Sequence, residues 1–333
     1  MKPHSDSQPK LADVARLAGV SPATVSRFIN KSGFVAQATA ERIGAAIAEL
    51  EYVPNFAAGS LVTRRSRLVA VLVPVLAQSL FNNTVEALVA ALSRAGFTPI
   101  LGLTGFEQEE TLRLTDAMLS RRPDAFILTG VTSEAARARL RKSGVTVIET
   151  WDLPENPVDV AIGFSHREVG RAIAGYLVER GYSRPFIVTT RGTRSAARRD
   201  GFMSAWPADK IGDVQEGAVE SPARFNQARR IFREWLQTVP RPDVIVCGSD
   251  GLAQGLAVEA LAAGIAVPDQ LAIVGFGDIG VAADMRPSLT TIGIDGERIG
   301  REAASILIAR EEGKEVPQRV IDVGFRLIER ESA

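Results

Sequence analysis

Cysteine and histidine are almost missing from this chain. Its 333 residues include one cysteine, Cys247, and two histidines, His4 and His166. A single cysteine excludes an internal disulfide framework and any cysteine-based zinc finger. Two histidines are too few for a histidine-rich metal site. Long apolar runs are missing as well. The longest, Leu68 to Ala77, contains a proline and falls far short of the roughly 20 residues that a bilayer-spanning helix needs. Met1 to Lys10 is polar, so no secretory signal is expected and a cytoplasmic location follows. Net charge is missing too, with 39 Lys+Arg against 39 Asp+Glu. Taken alone, that balance argues against a nucleic-acid partner, which usually goes with a basic excess. What remains is ordinary globular material, 46% hydrophobic and 23% charged, which excludes wholesale disorder. At about 100–200 residues per domain, two or three domains are expected.

The zero charge is an average of two unlike parts. Residues 1–67 hold nine Lys/Arg and five Asp/Glu, whereas the rest holds 30 and 34. The texture changes at the same place. Residues 1–9 read as a disordered tail, 10–54 as helical, and 55–67 as a connector. From Leu68 on, short apolar runs alternate with amphipathic segments. The runs at Leu68–Pro74, Thr98–Leu103, Ala125–Thr129, Val145–Glu149, Pro185–Thr189, Val244–Cys247 and Leu271–Gly275 predict strands. Helical patterns such as Phe81–Ala95, His166–Arg180 and Asp250–Ala263 lie between them. This alternation predicts parallel sheets covered by helices, and its length suggests two lobes.

Near the N-terminus the signals are tightly spaced. Val14, Leu17 and Ala18 recur at helical spacing, and Gly19 stands where that helix must stop. Ser21 can cap a second helix, and Pro22 falls at its first position, where a missing N–H costs nothing. Val25 and Ile29 face inward, leaving Pro22, Ala23, Ser26, Arg27 and Asn30 outward on a short helix. A third helix over about Gln37–Leu50 closes the core through Ile43, Ile47 and Leu50. Such a unit fits the major groove of B-DNA. The plain alternative is a helical cap or dimerisation bundle.

These residues carry a family resemblance. Leu11-Ala-Asp-Val-Ala, Gly19-Val-Ser-Pro-Ala-Thr-Val-Ser-Arg, Ile29-Asn-Lys, and Leu50-Glu-Tyr-Val-Pro-Asn followed by Leu61 resemble the LacI/GalR family of bacterial transcription regulators, and the likeness runs from about Lys10 to Glu329. Lys10 and Ala36 depart from it, since the family usually has Ser or Thr there, ahead of the first and third helices. The resemblance implies an all-α helix-turn-helix headpiece and hinge helix, then an α/β core like a periplasmic binding protein, with two doubly wound parallel-sheet lobes. It implies base readout by Pro22, Ala23 and Arg27, with Ser21, Thr24, Ser26, Asn30 and Thr39 nearer the DNA backbone. It places Asn55, Ala58 and Leu61 on a hinge helix, with Leu61 wedged into the minor groove to kink the DNA. Such a short segment containing Gly59 is marginal as a free helix.

One motif points elsewhere. Gly275-Phe-Gly-Asp-Ile-Gly280 follows a strand, and Asp295 stands where a ribose-binding acid could be, as in the dinucleotide fingerprint. Only Val281 to Arg286 separate it from Pro287, too little for the required helix, so a loop is expected. Ligands bind at the carboxyl ends of strands in open α/β sheets. Residues at such ends are Gln78, Phe81, Glu149, Trp151, Asp250 and Asp278, with Arg198 in the basic stretch after Pro185–Thr189. By resemblance, Arg198 matches the family's effector arginine, Phe81 and Trp151 match ring-stacking positions, and Asp250 a hydrogen-bonding one. Asp278 stands one residue later than the family's aspartate. Each has a structural alternative: Asp250 as a helix cap, Trp151 as core, Arg198 as a partner of Asp200.

The sequence thus leads to a DNA-binding repressor controlled by a small effector bound between lobes 68–163 with 292–321 and 164–291 with 322–330. The segments Val73–Phe81, Ala161–Phe164 and Asp322–Phe325 look most like the gluconate-operon repressor branch, which makes a sugar acid the expected effector. No catalytic site, cofactor, metal or membrane partner is expected. A homodimer on a pseudo-palindromic operator is expected. The alternatives are an NAD-linked Rossmann-type enzyme and a sugar-binding transport protein.

Overall fold

A computed structural model describes residues 9–30, 33–54, 65–76, 80–130 and 133–333, and the chain divides into two compact units, Met1–Ser66 and Arg67–Ala333. The expected hinge residues Asn55, Ala58 and Leu61, the side chain of Asn30, and Gln78 lie outside the described residues.

The first unit has three helices: α1 (Leu11–Ala18), α2 (Pro22–Asn30) and α3 (Gln37–Glu49). Lys10 cannot cap α1 with its side chain. Instead the Asp13 carboxylate accepts the Lys10 N–H at 2.9 Å. Gly19 closes the helix at φ +63°, a left-handed conformation that costs glycine nothing. Ser21 Oγ accepts the Thr24 N–H at 3.2 Å and caps α2. Ala36 makes no side-chain cap on α3. The core is Val14, Ala15, Ala18, Val25, Ile43 and Ala46, with Ile29, Ile47 and Leu50 packed partly against it. Leu17 is 46% exposed, because Ala15 rather than Leu17 completes the inward stripe. A small side chain is what a close helix crossing admits.

The second unit is built on parallel sheets. In one lobe β1 (Leu68–Val73), β2 (Thr98–Leu103), β3 (Ala125–Thr129), β4 (Thr146–Thr150), β5 (Val160–Gly163) and β11 (Val320–Asp322) form a sheet in the order β11-β5-β4-β3-β1-β2. All its neighbours run parallel. Helices α4 (Asn82–Arg94), α5 (Gln108–Leu119), α6 (Glu134–Ser143) and α11 (Gly296–Glu311) belong to this lobe. In the other lobe β6 (Pro185–Thr190), β7 (Gln215–Val219), β8 (Val244–Val246) and β9 (Ala272–Val274) pair as β7-β6-β8-β9. There the helices are α7 (His166–Glu179), α8 (Thr193–Ala205), α9 (Ala228–Gln237) and α10 (Asp250–Ala262). The chain passes between lobes after β5, after β10 (Thr291–Gly293), and between β11 and β12 (Arg326–Ile328). β10 joins the second sheet through bridges Val274 to Thr290 and Gly277 to Gly293, and pairs antiparallel with β12.

The strand reading from sequence needs two corrections. β5, β7 and β10 were not among the expected strands, since they are short or, in β7, half-exposed. The segment from Val320 to Ile328 holds two short strands rather than one, β11 and β12, which serve different sheets.

No helix opens at Gly280, so the apparent dinucleotide fingerprint is a loop. Its glycines have other reasons. A Cβ on Gly275 would lie 2.2 Å from Asp250 Oδ1, and Gly277 sits at φ +129°. Asp295, the mock ribose acid, caps α11 by accepting the Arg298 N–H at 2.8 Å.

Candidate functional site

On α2, Ser21, Pro22, Ala23 and Arg27 are exposed, while Thr24 and Ser26 are partly buried. Ser21 Oγ and Thr24 Oγ1 share a 2.9 Å hydrogen bond. Thr39 on α3 is partly buried, with the Arg42 guanidinium at 3.5 Å. Arg27 is in no ion pair among the described residues. An exposed guanidinium on a short helix, with five N–H donors in a planar fork, is suited to the acceptor edge of guanine.

The second candidate site lies where the two lobes of the core meet. The fold brings Phe81, Trp151 and Arg198 onto one string of rings. Phe81, just before α4, meets Trp151 edge-on at 5.1 Å, and Trp151 meets Phe164 at 5.9 Å. Phe164 lies 4.6 Å from the His166 ring and 6.3 Å from Phe276. The Arg198 guanidinium covers Phe276 at 4.3 Å, a cation–π contact. The string runs from one lobe to the other.

Trp151 is nearly fully buried, and its indole N–H donates to Thr84 Oγ1 at 2.9 Å. Its backbone is left-handed, at φ +69°, which strains a bulky residue. Asp278 is left-handed as well, at φ +50°. Two of the five non-glycine residues with positive φ in the described chain therefore lie at strand ends of this site. Strain of this kind persists only where the surroundings over-determine it, and it collects at functional sites.

The charged groups divide into those already neutralised and one that is not. Glu149 does not reach the ring string. It is buried in an ion pair with Arg137 and accepts the Val158 N–H at 2.6 Å. Burial still pushes its carboxyl above the usual range. Asp250 does not cap α10, because Ser249 does so through the Leu252 N–H. Asp250 instead accepts the Ile279 N–H at 2.8 Å and the Thr291 hydroxyl at 2.5 Å, which ties the 276–279 loop to α10. Burial raises its pKa as well. Asp278 pairs with Arg330 at 2.7 Å and fastens the segment after β12. Arg194 pairs with Asp152 at 3.3 Å and donates to Thr150 O at 2.9 Å, across the lobes.

Arg198 differs from all of these. It does not pair with Asp200, which is bound by Arg199, and among the described residues it is in no ion pair. Among the described residues its one hydrogen-bond partner is His166 Nδ1, at 3.0 Å. Burial, with the nearby Arg194 charge, pulls its pKa down to about 10. It remains a cation at neutral pH, with donors unspent. The space beside it, lined by Ser195, Phe202, Gly248 and Phe276, is about 30 Å³. Cys247 also borders it as a buried thiol whose pKa burial raises.

His166, Arg194, Phe164 and Phe276 were not among the candidates from sequence. His166 left one signal: it is one of only two histidines, and it opens a helix directly after a capping serine, Ser165. The partners of all four are supplied by other elements.

Comparison with known proteins agrees with this geometry. Residues 10–55 match the bacterial regulatory proteins of the lacI family, and residues 174–333 match the periplasmic binding protein-like domain. The chain is 36% identical over 330 residues to the HTH-type transcriptional regulator GntR of Pseudomonas aeruginosa, covering 98% of this chain and 96% of that one. It is 30% identical over 322 residues to the HTH-type transcriptional regulator GntR of Escherichia coli K12, covering 96% and 97%. A crystal structure of a LacI-family transcriptional regulator from Silicibacter pomeroyi superposes with a TM-score of 0.88 at 30% identity, over 97% of this chain and 99% of that one. Its relatives are regulators rather than enzymes, and among the described residues no helix is long and apolar enough to cross a membrane. With a helix-turn-helix head and a two-lobed binding-protein core, the chain belongs to the LacI family of bacterial regulatory proteins and is a DNA-binding transcriptional regulator.

Proposed function

We propose that this regulator is a homodimeric repressor in the cytoplasm whose grip on a pseudo-palindromic operator is set by a small polyhydroxylated acid, with gluconate the first candidate. The observation that carries the effector reading is Arg198, a partly buried guanidinium without a carboxylate partner among the described residues, set against a ring. A carboxylate ligand supplies the missing charge in bidentate geometry, and Phe276 gives the space beside Arg198 an apolar wall. Phe81, Trp151 and Asp250 brace the residues around this place, whereas Glu149 and Asp278 serve the scaffold. Gln78 and the hinge residues Asn55, Ala58 and Leu61 keep the roles implied by their sequence positions. The head spans 10–54 and the hinge 55–67. About 30 Å³ beside Arg198 holds roughly one water molecule, so a sugar acid enters only as the cleft rearranges. Binding that requires rearrangement selects one conformation over another, which is what a population shift requires.

Dimerisation has support of its own. Leu101 and Leu103 share one face of the edge strand β2 and are 39% and 52% exposed. Val258 and Leu261 on α10 are 47% and 76% exposed. A second copy of the chain would cover such patches.

The test is a thermal-shift titration of the full chain with sodium gluconate, together with a gel shift on DNA selected by the wild type from a random pool. Gluconate at 100 times its Kd should add about 2.7 kcal/mol of stability. Arg198→Ala should abolish the shift while the selected DNA is still bound. Absence of a shift with gluconate and other sugar acids, or an undiminished shift in Arg198→Ala, would refute the effector reading.

A further inference from the structure

Two arginines stand one turn apart on α8 and are treated differently. Arg194 is neutralised by Asp152. Arg198 is held by an imidazole, with Nη1 at 3.0 Å from His166 Nδ1. We propose that His166 is the positioning residue of the effector site: it fixes the Arg198 guanidinium without cancelling its charge, reserves that charge for an acidic ligand, and ties it to the Trp151–Asp152 loop of the opposite lobe. This rests on the reading of Arg198 as the effector-binding arginine.

The partners dictate the state of the ring. His166 Nε2 lies 3.0 Å from Trp151 O, and a carbonyl only accepts, so Nε2 carries the proton. A guanidinium only donates, so Nδ1 is bare. Only the neutral Nε2–H tautomer satisfies both bonds. The two arginine charges facing the ring disfavour its protonation, while the bond to the Trp151 carbonyl opposes them. Arg198 and Arg194 approach from α8, the Trp151 carbonyl from the end of β4, and the rings of Phe164 and Phe276 cover the rest. Asp152, the nearby carboxylate, is already engaged by Arg194. Burial and the two arginine charges hold His166 well below the ordinary histidine range.

A neutral acceptor is what such a site requires. A carboxylate at position 166 would form an ion pair with Arg198, and an arriving acid would then meet a neutralised partner. An apolar residue would leave the guanidinium untethered. The imidazole takes one N–H of the fork and Phe276 covers one face, so the remaining donors are aimed but unspent. The second bond reaches Trp151, the strained residue at φ +69° whose indole is anchored on Thr84. Movement of Arg198 toward a ligand is thereby felt at the base of the other lobe.

The experiment has two arms on the full chain. In the first, histidines are labelled with ¹⁵N, and the two imidazoles are told apart with His4→Gln. His166 should remain a neutral Nε2–H tautomer through the pH range in which an ordinary histidine, at about 6.5, takes up its proton, and Arg198→Ala should move its titration up toward the value of a free histidine. If His166 titrates like His4, or if Arg198→Ala leaves it unmoved, the proposal is overturned whatever the ligand. In the second arm, binding of gluconate and of its uncharged amide is measured by calorimetry. His166→Gln, which keeps a donor and a neutral acceptor, should retain the preference for gluconate. His166→Asp should lose roughly tenfold or more in gluconate affinity and keep its affinity for the amide. Equal losses for both ligands would show a merely structural role and overturn the proposal. If the wild type binds neither ligand, the gluconate reading fails by itself, and the first arm still decides the role of His166.

Discussion

Gly170→Ala and Gly175→Ala add the same methyl group to the same helix, α7, and should move stability in opposite directions. At Gly170 a Cβ would lie 1.9 Å from Arg198 O and 2.6 Å from Phe202 N, both backbone atoms of α8. At Gly175 nothing lies within 4 Å. Backbone cannot swing aside as a side chain does, so α7 and α8 must part by more than an ångström to admit the first methyl. Overpacking of this kind costs about 1–3 kcal/mol, against about 0.5–1 kcal/mol gained by replacing a helical glycine with alanine. Each kcal/mol is worth roughly 2–4 °C in Tm for a domain of this size. Gly170→Ala should therefore melt several degrees lower and Gly175→Ala a few degrees higher, by calorimetry or circular dichroism. The functional consequence is larger than the thermal one. His166 stands one turn before Gly170 on the same side of α7, and the clashing carbonyl belongs to Arg198. Parting the helices opens the 3.0 Å bond between the two and misplaces the cation, so sugar-acid binding should fall in Gly170→Ala and persist in Gly175→Ala. A shift of the same sign in both variants would refute the reasoning, as would a Gly170→Ala protein that melts and binds like the wild type.

Three further outcomes are expected. Removing Arg137 leaves Glu149 buried and unpaired, so Arg137→Ala should cost about 3–5 kcal/mol. Since burial already raises the Glu149 pKa, the folded variant binds more protons than the unfolded chain, and the deficit should shrink as pH falls from 8 toward 5; denaturant melts showing a deficit that grows on acidification would contradict this. His166 gives the opposite slope. Its folded pKa is depressed, so its contribution is present above the unfolded value of about 6.5 and declines as pH falls below it, and His166→Gln should flatten that part of the stability profile. In the head, Ile43 is fully buried, so Ile43→Ala should cost about 2–5 kcal/mol and abolish binding to selected DNA; a full-strength gel shift would show that the three-helix core is not needed for recognition.

The features of the head could be read from the chain because they are local. Gly19, Ser21 and Pro22 each act on atoms within a turn of themselves, and the expected stop, cap and first helical position all appear. Leu17 shares helical spacing with Val14 and Ala18 yet is 46% exposed, because spacing alone does not distinguish a face that meets another helix from its neighbour. β7 has the sequence Gln-Glu-Gly-Ala-Val, with no apolar run to announce it, and it becomes a strand only because β6 offers its free edge. Asp250 shows the same limit at the site. Its helix and its place after β8 could be read from sequence, but its bonds to Ile279 and Thr291 join residues 29 and 41 positions away.

By itself the sequence determined the family, the helix-turn-helix, the alternation that makes parallel sheets, and the arginine that stands where an effector arginine should. The helix-turn-helix and the alternation follow from periodicity and short-range spacing, whereas the family and the place of that arginine follow from the resemblance to known regulators. Tertiary structure alone decided which charges are spent. Glu149 meets Arg137, Asp278 meets Arg330, Arg194 meets Asp152, and Arg198, among the described residues, meets the His166 imidazole and the Phe276 ring but no carboxylate. The partner of a charge is chosen by the packing of distant elements, here the backbone-close crossing of α7 on α8, and that packing leaves one cation unspent where the two lobes of the core meet.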